Sequence, residues 1–185
     1  MMMHNVVVLL AAGASRRTST MKQLYKVDGV HLINVQIKKL LAYGYEVVVV
    51  LGHNYENIKK IIESDVKIIY NRNYKEGMFA SVKAVFETLE ADQYIFCHVD
   101  RPIADKVVFT SLINTTTDIA VAFKDKKNAP PIMIKSSMKN ILLTTSHTRL
   151  DEWIKAQDNV SYVAVEDEKV HYNANTDEEL RRYFN

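Results

Sequence analysis

Five short runs, at residues 6–10, 47–51, 66–70, 94–99 and 119–123, are apolar at nearly every position instead of at every second one. A strand of that kind cannot leave one face in water, so layers must cover it on both sides, the condition met by a parallel sheet sandwiched between helices. The intervening segments have helical spacing. Ile33, Ile37, Leu40 and Leu41 share one face, and Gly44 stands where a C-terminal cap belongs. Residues 55–62, 79–89 and 107–113 read the same way, giving a βαβαβαβαβ order over the first two thirds of the chain. The class expected is α/β with a mainly parallel sheet.

After residue 123 the pattern loosens. Residues 124–128 read as a polar loop, 131–134 as a short strand, 150–156 as a helix and 160–165 as extended chain. Thr176-Asp177-Glu178-Glu179 has the form of a capping box and predicts a last helix through Phe184. With no repeat or Pro/Gly-rich linker, and 48% apolar residues in a chain of 185, one domain over residues 1–185 is expected.

Composition narrows the function classes. Twenty-four Lys and Arg against 22 Asp and Glu leave a formal charge of +2, too little to embrace a phosphate polymer, so nucleic acid is not an expected partner. No stretch approaches the roughly eighteen apolar residues of a membrane helix. The opening apolar run resembles a signal peptide but lacks a basic segment before it, since Arg16 and Arg17 follow it. The single cysteine, Cys97, excludes an intramolecular disulfide. A soluble, unprocessed, cytoplasmic protein is expected; the sequence does not speak to oligomeric state.

Four places carry polar chemistry. The first strand runs into Leu10-Ala11-Ala12-Gly13-Ala14-Ser15-Arg16-Arg17, with Lys22 shortly after. Small residues there admit backbone N–H groups to a phosphate, Ser15 adds a donor, and Arg17 and Lys22 add charge. The segment is neither a Walker A loop nor a G-x-G-x-x-G turn, and a plain turn followed by a solvated basic loop remains the alternative. At the end of the fourth strand, Asp100 precedes Arg101-Pro102 and is a candidate ligand for Mg²⁺ bound to a triphosphate, or else a turn-capping Asp. His98 beside it does not make a zinc site, because no further His or Cys lies at ligand spacing. Asn71, in the loop leading to Gly77, offers donor and acceptor atoms to a nucleobase, and Ser81 follows on the next helix. Asn175, ahead of the Thr176 cap, could add an oxygen to a hard cation or simply serve the turn.

Taken in order, these places resemble the MobA-like nucleotidyltransferase family, and within it the molybdenum cofactor cytidylyltransferase branch. The opening L-A-A-G-x-S-x-R-x-G-x-x-K is matched by Leu10, Ala11, Ala12, Gly13, Ser15, Arg17 and Lys22. Leu51-Gly52-His53 matches an L-G-H strand end, and Asn71, Glu76, Gly77, Met78 and Ser81 match N-x-x-x-x-E-G-M-x-x-S. Asp100-Arg101-Pro102 stands for D-Q-P, and Asn175 to Leu180 for the closing acidic or Asn-rich element. The resemblance implies a three-layer α/β/α, Rossmann-like nucleotidyltransferase fold, and transfer of a nucleotidyl group from a nucleoside triphosphate to a small phosphorylated acceptor with loss of pyrophosphate. It implies that Arg17, Lys22 and Asp100 are catalytic, and that Asp100 and Asn175 hold Mg²⁺. Leu10, Ala11, Ala12, Gly13, Ser15, Asn71, Gly77 and Ser81 would bind the nucleotide. Ala12 favours CTP over GTP, since the guanylyl branch reads L-A-G-G.

The sequence also departs from the family pattern, with the first site and Asp100 retained and the acceptor-side elements drifted. Ser19 replaces a Gly, Ala129-Pro130-Pro131 replaces G-H-P, Thr145-Ser146-His147 stands near an expected G-D, and Asn175 replaces an acid. The acceptor expected is molybdopterin-like, with a sugar phosphate or alcohol phosphate as the alternative, and a non-catalytic nucleotide-binding relative as a third reading.

Overall fold

A computed structural model describes residues 3–15 and 17–185; Met1, Met2 and Arg16 lie outside the described residues. The strands are β1 (Asn5–Ala11), β2 (Lys26–Val27), β3 (Val30–His31), β4 (Glu46–Leu51), β5 (Lys67–Tyr70), β6 (Gln93–His98), β7 (Ile119–Lys124), β8 (Lys127–Lys135) and β9 (Val160–Ala164). The helices are α1 (Leu32–Ala42), α2 (Tyr55–Ile61), α3 (Met78–Thr88), α4 (Lys106–Ile113), α5 (Lys139–Thr144), α6 (Leu150–Lys155) and α7 (Asp177–Phe184).

Seven strands form one sheet in the order β5-β4-β1-β6-β8-β7-β9. All its pairings are parallel except those of β8, which runs antiparallel to both β6 and β7. The continuous apolar runs are explained by two cores, one on each face. Val7, Leu9 and Ala11 join Val47, Val49, Ile95 and Cys97 on one side, under α1, α4 and α7. Val6, Val8 and Leu10 join Val48, Val50, Tyr94 and Phe96 on the other, against α3, α5 and α6. Side chains alternate across a pleated strand, so each run supplies both cores at once. The three-layer expectation holds.

The segment after residue 123 departs from the expected loop and short strand. Asp125 and Lys126 have φ of 50° and 63°, a two-residue turn whose twist suits a hairpin. The loop is therefore only two residues long, and β8 extends over nine residues between β6 and β7. The small β2–β3 hairpin, joined through Asp28 and Gly29 at positive φ, and the short helix α5 are also additions to the expected elements. Among the described residues no helix is long and apolar enough to cross a membrane.

The chain leaves β1 for β4 and β5 on one side, then returns to β6 on the other. Connections diverge there, opening a crevice beyond the carboxyl ends of β1 and β6, where open α/β sheets bind ligands. Val99 N–H donates to the Leu10 carbonyl at 3.1 Å, tying the two exits together, and Ala174 N–H donates to the Asp100 carbonyl at 2.9 Å, bringing the approach to α7 to the same place.

Candidate active site

Beyond β1 the chain cannot continue in the sheet, and the loop that follows closes on its own side chains. Ser15 sits at φ 51°, a left-handed conformation held by its Oγ, which accepts the Lys22 N–H at 3.0 Å and lies 3.4 Å from Gln23 Oε1. Gln23, 1% exposed, donates to the carbonyls of Ala11 at 2.7 Å and Gly13 at 3.0 Å. These bonds turn two carbonyls inward and fix the loop. Gln23 went unnoticed in the sequence, because a Gln without a motif neighbour carries no local signal of which carbonyls it will reach.

The single helical turn Lys22–Leu24 aims the Lys22 side chain, which is 8% exposed, at the end of β6. Its Nζ lies 2.7 Å from Asp100 Oδ2 and 3.4 Å from Asn175 Oδ1. Arg17 reaches the same amide oxygen at 2.8 Å. Four residues spread over the sequence thus meet at one point. Asn175 is fixed by the cap of α7: Glu179 Oε2 accepts the N–H groups of Asn175 at 2.7 Å and Thr176 at 3.0 Å, while Thr176 Oγ1 accepts the Glu179 N–H at 3.2 Å. Those bonds hold the Glu179 carboxyl below the usual range, the Asn175 N–H being the main cause.

A cavity of about 210 Å³ begins here and is walled by Leu10, Ala11, Ala12, Gly13 and Ser15 on the β1 side. Lys22, His98 and Asp100 also line it, with Tyr74 and Gly77 from the loop after β5 and Ser81 from α3. Asn71 does not line it. Its side chain is 2% exposed, its Nδ2 donates to Ser81 Oγ at 2.9 Å and its Oδ1 accepts the Asn73 N–H at 2.9 Å. One donor and one acceptor position of its amide pin the 71–77 loop on α3. Gly52 explains the L-G-H element: a Cβ there would stand 2.4 Å from Tyr74 Cβ and 2.9 Å from Ala12 Cβ. Only glycine lets these two loops close.

The oxygens of Asp100 and Asn175 both approach the Lys22 ammonium, so one small cation could be shared between them. Both are hard donors suited to Mg²⁺ or Mn²⁺. Among the described residues no group of three or more His, Cys, Asp or Glu forms a metal cage, so a cation here would draw its other ligands from phosphate and water, as Mg²⁺ commonly does in nucleotide sites.

A second cavity, of about 350 Å³, lies across Asp100 and shares Met78, His98 and Asp100 with the first. Its remaining wall is largely apolar, from β7, β8 and α6, with Arg101 and Asn173 among its polar members. Burial lowers the His98 pKa to about 4 against the opposing field of Asp100, leaving the ring neutral near pH 7. Arg101 was quoted in the sequence only as a motif position, and its part in this wall depends on β8, the strand that sequence reading shortened.

The profile of the MobA-like NTP transferase domain matches residues 7–160. The chain is 23% identical over 116 residues to the molybdenum cofactor cytidylyltransferase of Escherichia coli, covering 62% of this chain and 60% of that one, so this match spans less than two thirds of that relative's length. It is 29% identical over 194 residues to a probable molybdenum cofactor guanylyltransferase of Bacillus cereus, covering 93% and 92%. Among solved structures it is similar to Rv0371c from Mycobacterium tuberculosis, with a TM-score of 0.86 at 18% identity over 100% of this chain and 98% of that one. The complex of Rv0371c with manganese gives 0.80 at 16% identity, covering 98% of each chain. The structural likeness speaks for the fold, and the sequence profile, spanning most of the chain, for the lineage: this protein belongs to the MobA-like NTP transferase domain family, a family of nucleotidyltransferases.

Proposed function

We propose that the protein transfers a nucleotidyl group, with CMP from CTP favoured, to the phosphate of a molybdopterin-like acceptor, releasing pyrophosphate in a Mg²⁺-dependent reaction. The observation that carries this reading is the meeting of Arg17, Lys22, Asp100 and Asn175, a cluster in which Lys22 lines the first cavity and Asp100 lines both. Two cations and two oxygen ligands gathered beside a carboxylate common to both cavities suit a triphosphate on one side and an attacking phosphate on the other. CTP is favoured on Ala12; the cytidylyl and guanylyl relatives leave the donor base to experiment.

An oxygen of the acceptor phosphate attacks the α-phosphorus, and the bond from that phosphorus to the bridging oxygen breaks, so pyrophosphate carries away the electron pair. Nothing in this displacement needs a protein nucleophile; positioning and charge neutralisation dominate. The loop of Leu10, Ala11, Ala12, Gly13 and Ser15 positions the phosphates, and Gly77 and Ser81 border the nucleotide from the opposite wall. Arg17 and Lys22 offset charge growing on the leaving pyrophosphate. Asp100 and Asn175 hold the cation, which when bound supplies further neutralisation at phosphoryl oxygens. We read residues 1–185 as one nucleotidyltransferase domain, supported by a sheet built from residue 5 to residue 164 and by α7 returning to the phosphate loop. A cytoplasmic setting, with no nucleic acid or membrane partner, belongs to the same reading.

The test is pyrophosphate release with Mg²⁺ and each of CTP, GTP, ATP and UTP, with and without molybdopterin. Release that needs both CTP and molybdopterin is expected. Release with GTP alone would move the reading to guanylyl transfer, and turnover only with a sugar phosphate would overturn the acceptor.

A further inference from the structure

The loop at residues 10–22 already holds an anion, and that anion belongs to the chain itself. The Ser19 N–H points at the Asp177 carboxylate, 3.1 Å from each of its oxygens. Two residues earlier the Arg17 guanidinium is bonded to Asn175 Oδ1 at 2.8 Å, and three residues later Lys22 Nζ is bonded to Asp100 Oδ2 at 2.7 Å. A backbone N–H, a guanidinium and an ammonium are the donors with which a loop of this kind receives phosphate oxygens. Each of the three meets an oxygen of the protein instead.

The scheme above gives Asp100 and Asn175 a cation to hold, and it leaves Asp177 without a part. An acid in the first turn of a helix is ordinarily there for the helix, through its dipole or its free N–H groups. Here the cap of α7 is made by other residues. Thr176 Oγ1 accepts the Glu179 N–H at 3.2 Å, and Glu179 Oε2 accepts the Thr176 N–H at 3.0 Å. Among the described residues the one hydrogen-bond donor to the Asp177 carboxylate is Ser19, 158 positions away in the chain. The carboxylate is therefore turned off its own helix and onto the loop. Glu178, the next acid of the same turn, is exposed and makes no such contact among the described residues.

We propose that Asp177 is an autoinhibitory latch: its carboxylate takes the Ser19 N–H in place of a phosphate of the nucleoside triphosphate, so that α7 competes with the nucleotide for the loop. The proposal rests on the nucleotidyltransferase reading, because it takes this loop to be the seat of the triphosphate. A carboxylate left on the loop would also face a polyanion, so the two occupants exclude each other by charge as well as by the shared donor. Apparent affinity is then lowered to the fraction of molecules in which the latch stands open. The contact sets a threshold, below which the loop stays tied to α7.

The experiment titrates the full chain, with Mg²⁺, with α,β-methylene CTP and follows binding by calorimetry in the wild type, Asp177→Asn and Glu178→Gln. The two variants remove the same charge from the same turn, and only the first removes it from the loop contact. Asp177→Asn should bind the analogue about three- to tenfold more tightly, the scale of one net hydrogen bond, and Glu178→Gln should bind it as the wild type does. In the free protein the Ser19 amide, followed by NMR hydrogen exchange, should exchange faster in Asp177→Ala than in the wild type. Should Asp177→Asn fail to fold, Asp177→Ala is titrated in its place, with the same tightening expected. Equal or weaker binding by a folded Asp177 variant would overturn the proposal and make the carboxylate a brace. Equal tightening by Glu178→Gln would also overturn it, by reducing the effect to overall charge, and so would equal Ser19 exchange. If the wild type and every variant bind neither this analogue nor its guanosine counterpart, the nucleotidyltransferase reading falls and the latch falls with it.

Discussion

Lys22 is placed where its loss has two effects. Its ammonium is nearly enclosed and bonded to Asp100, so on the reading proposed above Lys22→Ala removes a phosphate ligand and leaves that carboxylate unopposed beside the triphosphate. Affinity for a nucleoside triphosphate should fall by about tenfold or more, read by calorimetry; unchanged affinity would show that the phosphates bind elsewhere. Gly13 and Gln23 separate space from support in the same loop. A Cβ at Gly13 would meet nothing within 4 Å, so Gly13→Ala should fold as the wild type does and lose only triphosphate affinity. Gln23→Ala leaves two inward carbonyls without their donor and should cost about 1–3 kcal/mol in urea unfolding. If the two variants behaved alike in stability, the division between wall and brace would be wrong. The residues legible in the sequence were those inside a motif. Gln23 was not among them, and the bonds of Asn71 to Ser81 and Asn73 could not be read from its chemistry alone.

At the level of elements, the cap of α7 does more than start a helix. Glu179 accepts the N–H groups of both Thr176 and Asn175, so the bonds that begin the helix also set the Asn175 amide beside Lys22. Thr176→Ala should lower stability by about 1 kcal/mol and also raise the Mg²⁺ concentration needed for half-maximal pyrophosphate release; a stability loss without the second change would uncouple cap from site. The capping box was readable because its four residues are adjacent. The first five strands of the βαβ pattern were readable for a similar reason, since each carries its apolar run locally. What escaped was β8. Its pairing with β6 is made across distance, and its polar beginning, Lys127-Asn128, looks like loop until the hairpin turn to β7 at Asp125 and Lys126 is known. The second cavity depends on that strand, which is why the sequence was clearer about the first cavity than about the second.

For the whole molecule, the two cores share every central strand, so neither should melt without the other. Trp153, the only tryptophan, is fully buried in α6 and packs on Phe79 of α3 with ring centroids 5.8 Å apart. Its fluorescence reports one face of the sheet, whereas far-UV circular dichroism reports helices on both. The two urea transitions should coincide, as for a single cooperative domain; separated midpoints would divide the chain into two units. A last consequence follows from the return of Asn175 to the loop at residues 10–22. During synthesis β1 and the loop at residues 10–22 are made more than 150 residues before Asn175, so a nascent chain has most of its sheet before the amide that joins Arg17 to Lys22, and the polar cluster at the sheet's edge is completed only once that amide has been added.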